Sequence, residues 1–489
     1  MQFLVKRPPN LGAAKMNVIL YLFAIVASFF LGANASLNSN TLQAQDASAP
    51  SWDTSATAES LGLEPYAPPQ GIFPLFPWDH LQSWGADYQS LEDTMASMRE
   101  CEFTLSAFVD TLDKAKEANK NGLLCLYEAG VEIFDDRELT PQEIAEKCAK
   151  IDERIEKVVQ ETKDLPNVIG YYIVDEPGAY KFKALAAAVA AVKKYAPGKL
   201  AYINLYPGYA STIGADVDSQ LGVYSYEEYL ERFVQEVKPQ FLSYDNYMIE
   251  YSEDMRDFSR AHVFFTDLFT VRRIALKYNL PIWFIGSSLC IQKESSPPTP
   301  ARLALQSYLP LAAGARAMTW FLYYPLGWTY SPIDRDGKKT LTWMYMRDVN
   351  VQVKNIGGYL ANFKSTDMGI DPIYTREEAP SLPQFPPIPQ KVLPSLKGRY
   401  SGNAVINKPM KIAVGEFESL DGNAVAALAV NMDFDSSVCL TFEKPQGFNT
   451  LKVVSPVDGS EKIIDNEDAF QKEGFWIIPG HGTLFVWEK

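Results

Sequence analysis

The stretch Gly-Tyr-Tyr-Ile-Val-Asp-Glu-Pro at residues 170–177 is the segment that decides the fold. Its aromatic and β-branched residues predict a buried strand, and this strand ends in two adjacent carboxylates, Asp175 and Glu176. In α/β barrels, side chains at the carboxyl ends of the strands form the functional site. The segment therefore predicts an enzyme that uses acid chemistry at the end of a parallel strand.

Short apolar runs alternate with helical segments on both sides of this strand. The run Thr140-Pro141-Gln142-Glu143 predicts a helix start, because it combines an N-cap threonine, a proline at the first helical position and a capping-box acid. About eight such repeats predict an α/β fold, the (β/α)8 TIM barrel. A doubly wound open sheet is the alternative, but it would bring a glycine-rich phosphate loop after its first strand, and the sequence has none. The eight predicted strands span residues 71–77, 103–109, 122–127, 168–174, 200–205, 241–244, 281–285 and 317–323.

The composition and the pattern of the sequence change after the predicted barrel. Residues 379–394 contain six prolines, which favours a linker over a helix or a strand. Short apolar runs follow, with Asp-Gly and Pro-Gly turns between them, and they predict a small C-terminal β-sandwich. The predicted domains are a signal peptide at 1–35, a flexible leader at 36–65, the barrel at 66–378, a Pro-rich linker at 379–408 and the β-sandwich at 409–489.

The amino terminus has the pattern of a secretory signal peptide. Lys6, Arg7 and Lys15 precede a nearly continuous apolar run at 18–31, and Ala33-Asn34-Ala35 is a small-x-small cleavage site. The sequence therefore predicts a secreted or periplasmic bacterial protein with no stable membrane span after processing. A retained amino-terminal anchor is the alternative, although the apolar run is short for a span of about 20 residues.

Composition and spacing exclude several classes of function. A formal net charge of −15 disfavours nucleic acid, whose binding depends on neutralising phosphates with lysine and arginine. The three histidines have no zinc spacing, and no Walker or dinucleotide loop is present, so neither a metal nor a cofactor is predicted. The five cysteines are too scattered for a disulfide framework. Cys101 and Cys125 could pair, or both could be free buried thiols.

Acids, amides and aromatic residues collect at the predicted strand ends. Carboxylates and amides can bind sugar hydroxyls, and aromatic rings can pack against the CH faces of a sugar, so the expected partner is a carbohydrate. The predicted catalytic residues are Glu176 and Asp245. The predicted substrate-binding residues are Asp175, Trp78, Asp79, Glu128, Asn204, Tyr206, Tyr247, Trp320 and Tyr323.

The strand ends also resemble a known group of enzymes. The run at 169–177, with Asp-Glu-Pro on the fourth predicted strand, resembles the Asn-Glu-Pro acid/base motif of clan A glycoside hydrolases, and the run at 243–247 resembles the sixth strand of secreted bacterial glycosidase-like barrels. The resemblance covers residues 71–363 and implies a glycosidase barrel followed by a β-sandwich. Two positions depart from the clan: Asp175 replaces its asparagine, and the seventh strand, at 283–288, lacks its glutamate nucleophile.

The expected function is that of a secreted glycoside hydrolase acting by two-carboxylate chemistry. Glu176 is the predicted acid, because like-charge repulsion from Asp175 would raise its pKa. Asp245 is the predicted second carboxylate, with Glu128 in reserve; a separation near 5 Å would give retention and roughly 6.5–9.5 Å inversion. Two alternatives remain: a substrate-assisted N-acetylhexosaminidase that uses the Asp175-Glu176 pair, and a non-catalytic glycan-binding barrel.

Overall fold

The computed structural model describes residues 52–81, 89–213, 218–251, 258–291, 297–400, 411–465 and 473–489, and the statements below refer to these residues. The predicted signal peptide at 1–35 lies outside them. Residues 52–65 fall within the predicted leader, yet they contact the barrel: the backbone N–H of Asp53 donates to Gln235, and Ala56 is buried. Residues ahead of the predicted barrel boundary at 66 are therefore packed against the barrel.

Seven parallel strands form a curled sheet, in the order β1-β7-β6-β5-β4-β3-β2. The gap between β1 and β2 is bridged by the segment 103–109, in which Phe108 pairs with His80 and Val109 pairs with Tyr127. The predicted second strand is therefore present as isolated bridges, and the (β/α)8 barrel is confirmed. The strands are β1 (Leu75–Pro77), β2 (Cys125–Glu128), β3 (Val168–Asp175), β4 (Leu200–Leu205), β5 (Leu242–Asp245), β6 (Ile282–Ser287) and β7 (Ala315–Phe321).

Helices cover the outside of the sheet. The predicted start at Thr140 is confirmed, since its side chain accepts from the backbone of Glu143 while the Glu143 carboxylate accepts from the backbone of Thr140. The α-helices are α1 (Ala58–Leu61), α2 (Leu91–Glu100), α3 (Leu112–Lys120), α4 (Pro141–Thr162), α5 (Phe182–Tyr195), α6 (Tyr226–Arg232), α7 (Phe258–Tyr278), α8 (Pro300–Ala312) and α9 (Leu341–Leu360). Short 3-10 turns lie at Ala179–Lys181 and Met248–Tyr251, and a π-helix at Phe233–Val237 continues α6.

Large aromatic rings fill the barrel interior. Because side chains alternate along a strand, every second residue points inward. Trp283 is 1% exposed, and its ring lies 5.0 Å from that of Phe241, 5.7 Å from that of Tyr202 and 6.2 Å from that of Phe76. Edge-to-face and tilted contacts of this kind stabilise aromatic clusters beyond their buried area. The interior is therefore a packed floor beneath the carboxyl ends of the strands.

The C-terminal part is the predicted β-sandwich. It has a six-stranded sheet, in the order β14-β13-β16-β11-β10-β8, and a three-stranded sheet, in the order β15-β12-β9. Its strands are β8 (Phe363–Ile370), β9 (Lys397–Tyr400), β10 (Ile412–Ser419), β11 (Ala424–Asn431), β12 (Val438–Thr441), β13 (Thr450–Val454), β14 (Glu461–Ile464), β15 (Phe475–Ile477) and β16 (Gly482–Glu488).

Two sandwich strands lie ahead of the boundary predicted at residue 409. Strand β8 falls in the span assigned to the barrel and pairs with β10, while β9 falls in the Pro-rich linker span and pairs with β12. The linker itself packs closely, because a Cβ atom at Gly369 would lie 1.9 Å from the Pro387 carbonyl oxygen. The sheet rests directly on α8, where a Cβ atom at Gly415 would lie 1.9 Å from the Ala312 carbonyl oxygen.

Within the described part of the chain, no helix is long and apolar enough to cross a membrane. All five cysteines are free, including Cys101 and Cys125.

Candidate active site

Three neighbouring strands bring polar side chains to one point at the mouth of the barrel. Asp175 ends β3 and pairs with Asn204 on β4, and Asn204 in turn pairs with Ser243 on β5, two residues before Asp245. Parallel strands expose their carboxyl ends on the same side of a barrel, so the three side chains meet there. The structure thus brings together Asp175, Asn204 and Asp245, which lie far apart in the sequence.

A β-bulge directs Asp175 into the barrel. Tyr172 pairs with Tyr202, but the next pair is Val174 with Ile203, so one extra residue is inserted in β3. Strict alternation would place residues 172 and 175 on opposite faces, and the bulge returns Asp175 to the face of Tyr172.

Glu176 reaches the mouth through an unusual backbone conformation. Its φ is +42°, in the left-handed region that residues other than glycine rarely adopt. Its backbone N–H donates to the Asn204 carbonyl oxygen at 2.9 Å, so the residue is held against β4. Non-glycine residues with this conformation occur where the surrounding structure enforces it, and active sites are common places.

Asn204 connects the carboxylates through a buried hydrogen-bond network. Its Nδ2 donates to Asp175 Oδ1 at 3.1 Å and to Asp245 Oδ1 at 2.8 Å, while its Oδ1 accepts from Ser243 Oγ at 3.0 Å. The network continues from Ser243 Oγ to the Tyr202 hydroxyl at 3.0 Å. Because one amide binds both carboxylates, Asp175 and Asp245 are held close together by a neutral group.

The electrostatics of the cluster favour a protonated Glu176. Burial raises its pKa well above the ordinary value, and the carboxylates of Asp245 and Asp175 raise it further. Its Oε2 is buried and has no hydrogen-bond partner among the described residues. Burial also raises the pKa of Asp175 to about 6, although the bond from Asn204 and the nearby His80 oppose that shift. The two consecutive acids therefore have different environments, and Glu176 is the one suited to hold a proton.

Asp245 is the most enclosed of the three acids. It is 2% exposed, whereas Asp175 and Glu176 are half-buried. Burial raises the pKa of Asp245 well above its ordinary value, and Asp175 adds to that effect while the bond from Asn204 opposes it. Asp245 therefore contacts the network from inside the protein, and the two consecutive acids face the mouth.

His80 and Glu128 form a pair on the other side of Asp175. His80 Nδ1 lies 2.9 Å from Glu128 Oε1, and both side chains are partly accessible. The imidazole ring packs against Phe108 and Tyr172, with centroids 4.8 Å and 4.9 Å away. The predicted residue Glu128 thus belongs to the mouth, and it orients a histidine that the sequence did not assign to the site.

Tyr206 and Tyr247 lie near the same acids, whereas Trp78 lies deeper, in the aromatic interior. Trp78 lies in the floor, with its ring 4.9 Å from that of Phe108. Burial raises the pKa of Tyr206, and Glu176 adds to the shift; for Tyr247, burial is again the main cause and Asp245 the second. The charges that act on the two tyrosines place them beside the carboxylates.

Trp320 and Tyr323 do not face the mouth, so their assignment as substrate-binding residues is wrong. Trp320 is 0% exposed, and its Nε1 donates to Asn350 Oδ1 on α9 at 2.8 Å. The Tyr323 hydroxyl accepts from Trp343 Nε1 on the same helix at 2.9 Å. On β7 the inward positions are odd-numbered, since Ala317 belongs to the interior cluster, and Trp320 therefore points to the helical layer.

Asp79 also points away from the mouth, and the prediction that it binds substrate is wrong. It is 0% exposed and lies between Trp78 and His80, both of which point inward. Burial raises the pKa of Tyr324, whose hydroxyl is 2.9 Å from Thr94 Oγ1 on α2, and the charge of Asp79 adds to that shift. Asp79 is therefore a buried acid of the layer between the strands and the helices.

Burial raises the pKa of Asp79 to about 7, which makes stability depend on pH. The folded state binds the proton more tightly than the unfolded state, so the stabilisation is complete below about pH 4 and is lost as pH rises through 7, at up to about 1.4 kcal/mol per pH unit. Asp79→Asn mimics the protonated acid, and we expect it to reduce this loss, as measured by urea unfolding at pH 5 and 8. Asp113→Asn, at a side chain 91% exposed, is the control, and equal pH slopes for the two variants would contradict the expectation.

The predicted seventh strand, which is β6 in the structure, offers no carboxylate at its carboxyl end among the described residues. Ser287 Oγ donates to the Leu289 carbonyl oxygen at 2.9 Å, and Ser288 Oγ donates to that of Leu322 at 2.6 Å. Both serines are buried and bind backbone, so neither supplies the second carboxylate that a two-carboxylate mechanism needs. Among the described residues, no group of three histidine, cysteine, aspartate or glutamate side chains could hold a metal ion.

Sequence reasoning missed Asp267, which lies on α7 behind the site. It is 2% exposed, and its Oδ2 accepts from the Gly208 backbone N–H at 2.8 Å and from Asn246 Nδ2 at 2.7 Å. The available signal was a single acid inside the apolar helical run 263–269. Such an acid must find donors, and here both donors lie on loops that follow site strands.

No protein-family model matches the chain, and no curated protein matches its sequence. A catalytic mutant of a GH42 β-galactosidase from G. stearothermophilus is similar in structure, with a TM-score of 0.54 and 8% identity over 87% of this chain and 100% of that one. A glycoside hydrolase gives a TM-score of 0.45 at 11% identity, over 89% of this chain and 98% of that one. The β-galactosidase of the psychrophilic Marinomonas ef1 gives a TM-score of 0.41 at 9% identity, and the match covers 59% of this chain and 60% of that one.

At 8% identity, the similarity to the G. stearothermophilus structure shows a shared fold, a barrel followed by β-structure. Function must therefore be argued from the residues at the mouth.

Proposed function

We propose that this protein is a glycoside hydrolase in which Glu176 donates the proton to the leaving oxygen. The observation that carries the proposal is the environment of Glu176. The residue is half-buried at the mouth, and burial and two neighbouring carboxylates raise the pKa of its carboxyl group. A general acid must be protonated at the operating pH and must lie within reach of the substrate, and the raised pKa and the place of Glu176 at the mouth support both conditions.

The aromatic floor and the polar rim favour a sugar as the ligand. Tyr247 is half-buried beside the acids, and its ring is 5.5 Å from that of Phe321, which in turn is 5.3 Å from that of Trp328. Rings of this kind provide apolar area at one side of a pocket while carboxylates bind hydroxyls at the other. The predicted signal peptide at 1–35 adds that the substrate is an extracellular or periplasmic glycan.

Asp245 is the second carboxylate of this proposal, with Glu128 as the alternative. Asp245 would act as nucleophile or base in a two-carboxylate mechanism, and Asn204 holds it next to Asp175. If Asp245 is the nucleophile or base, Asp245→Asn should abolish sugar release from every substrate. Asp175→Asn, which leaves the other two acids in place, is the matched comparison.

Substrate-assisted cleavage of an N-acetylhexosaminide is a second candidate, favoured by the burial of Asp245. At 2% exposure Asp245 is far less accessible than the consecutive pair Asp175 and Glu176. In this chemistry the acetamido oxygen of the sugar attacks the anomeric carbon, so Asp175 would orient the acetamido group and Glu176 would protonate the leaving oxygen. This route also needs no acid at the end of the predicted seventh strand, which is β6.

Sugar release from a panel of glycans and aryl glycosides tests the proposal. The panel should contain matched aryl hexosides with and without the 2-acetamido group. Release from both members of a pair would support the two-carboxylate mechanism, and release only from the acetamido member would support the substrate-assisted one. Absence of release from every compound between pH 4 and 8, with glycan binding retained, would contradict the proposal and leave a glycan-binding barrel.

A further inference from the structure

One buried carboxylate connects the loops that follow two site strands. Asp267 lies in the middle of α7, and its Oδ2 accepts from Gly208 and from Asn246. Gly208 follows β4 and Asn246 follows β5. Asp267 is 2% exposed, so its contacts are with the protein and not with a ligand in the mouth.

These contacts lie next to residues of the candidate site. Asn246 directly follows Asp245, and its own Oδ1 accepts from the backbone N–H of Met248 at 3.0 Å, which closes the turn that carries Tyr247. Gly208 lies two residues beyond Tyr206. The Asp267 carboxylate therefore connects α7 to the two segments that carry Asp245, Tyr206 and Tyr247.

The fit at Gly208 is tight. A Cβ atom at this position would lie 2.1 Å from Asp267 Oδ1 and 2.9 Å from a ring carbon of Tyr226, distances at which the loop or the Asp267 side chain must shift. Only glycine lets the backbone N–H approach the carboxylate this closely. One hydrogen bond and one close approach thus determine the position of the loop after β4, and a second hydrogen bond, from Asn246, holds the loop after β5.

We propose that Asp267 is a positioning residue of the active site, which holds the loops after β4 and β5 so that Asp245, Tyr206 and Tyr247 keep their working geometry. The proposal rests on the proposed glycosidase function. Asp267 acts through Gly208 and Asn246 and does not contact the sugar. A displacement of about 1 Å in a catalytic group can lower a rate about 100-fold, so a tether of this kind has a measurable effect on turnover.

The variant Asp267→Ala removes the shared acceptor. Its matched control is Glu231→Ala, because Glu231 is also 2% exposed and also ties α7 to a neighbouring helix, through Lys277 and Tyr278 at the far end of α7. We expect kcat to fall about 10–100-fold in Asp267→Ala, with KM changed less than about threefold, while kcat in Glu231→Ala stays near the wild-type value. If both variants lose a comparable amount of thermal stability but only Asp267→Ala loses kcat, the loss of kcat is due to positioning and not to poorer folding.

Two further measurements keep the proposal testable if Asp267→Ala folds poorly or the wild type releases no sugar. Gly208→Ala keeps the carboxylate but forces the carboxylate and the loop apart, and it should lower kcat to a similar extent. Hydrogen exchange measured on peptides spanning 205–213 and 245–251 should be faster in Asp267→Ala and unchanged in Glu231→Ala. Absence of sugar release by the wild type would refute the proposed function alone. Unchanged exchange in both peptides, or equal kcat in the two alanine variants, would overturn the role of Asp267.

Discussion

Replacing Glu176 by glutamine is expected to lower kcat on a natural glycan by about 10²–10⁴-fold while leaving the affinity for the glycan nearly unchanged. Glutamine keeps the size and the polar contacts of the side chain but cannot donate a proton to the leaving oxygen. The measurement is steady-state turnover together with equilibrium binding of the same glycan. Glu146→Gln, an exposed change on α4, is the matched control.

Two additional readouts tie the loss to proton donation. An aryl glycoside with a strongly acidic leaving group needs little protonation, so Glu176→Gln should retain much more activity on it than on the natural glycan. Since the wild-type acid must be protonated, kcat/KM should fall as pH rises through the raised pKa of Glu176, and this alkaline limb should disappear in the variant. Equal losses on both substrates, or turnover as fast as that of the wild type, would refute the role of Glu176 as the acid.

Replacing Trp283 by alanine is expected to have the largest effect on stability, a loss of about 3–5 kcal/mol in the free energy of unfolding. Trp283 is 1% exposed at the centre of the barrel floor, in contact with Phe241, Tyr202 and Phe76. The cost combines the lost burial of an indole with the cavity left among rings that cannot collapse to fill it. Urea denaturation followed by circular dichroism measures it.

Trp476 provides the matched control for this change. It is 41% exposed on β15, and its main partner is the Arg399 guanidinium, 4.9 Å from the ring centroid. Trp476→Ala should therefore cost about 1 kcal/mol or less. Similar losses in the free energy of unfolding for the two variants would contradict the expectation that the buried aromatic floor contributes most to stability.

Much of the barrel could be predicted because its signals are local. The strand predicted at 200–205 matches β4, and the helix start at Thr140 has the expected capping box. In both cases the residues that specify the element are adjacent in the sequence. The prediction was weaker where pairing depends on distant strands: the segment 103–109 forms only isolated bridges, and β8 and β9 pair within the sandwich.

The candidate site shows the same division. The acids at the end of the fourth strand could be predicted because carboxylates that follow an apolar run lie at a strand end. The bulge that directs Asp175 inward could not, since one inserted residue depends on the register with β4. Trp320 and Tyr323 were assigned to the mouth because they lie at or just after a strand end, but only the packing against α9 decides which side of the barrel wall they occupy.

The amino-acid sequence by itself determined the order of strands and helices, the acidic strand end at Asp175 and Glu176, and the β-sandwich after the barrel. These follow from periodicity, capping and turn residues, which act over a few neighbouring positions. Only the tertiary structure decided the bridge from Asn204 to two carboxylates and the tether at Asp267. Hydrogen bonds between residues tens of positions apart depend on register and burial, and these exist only once the barrel has closed.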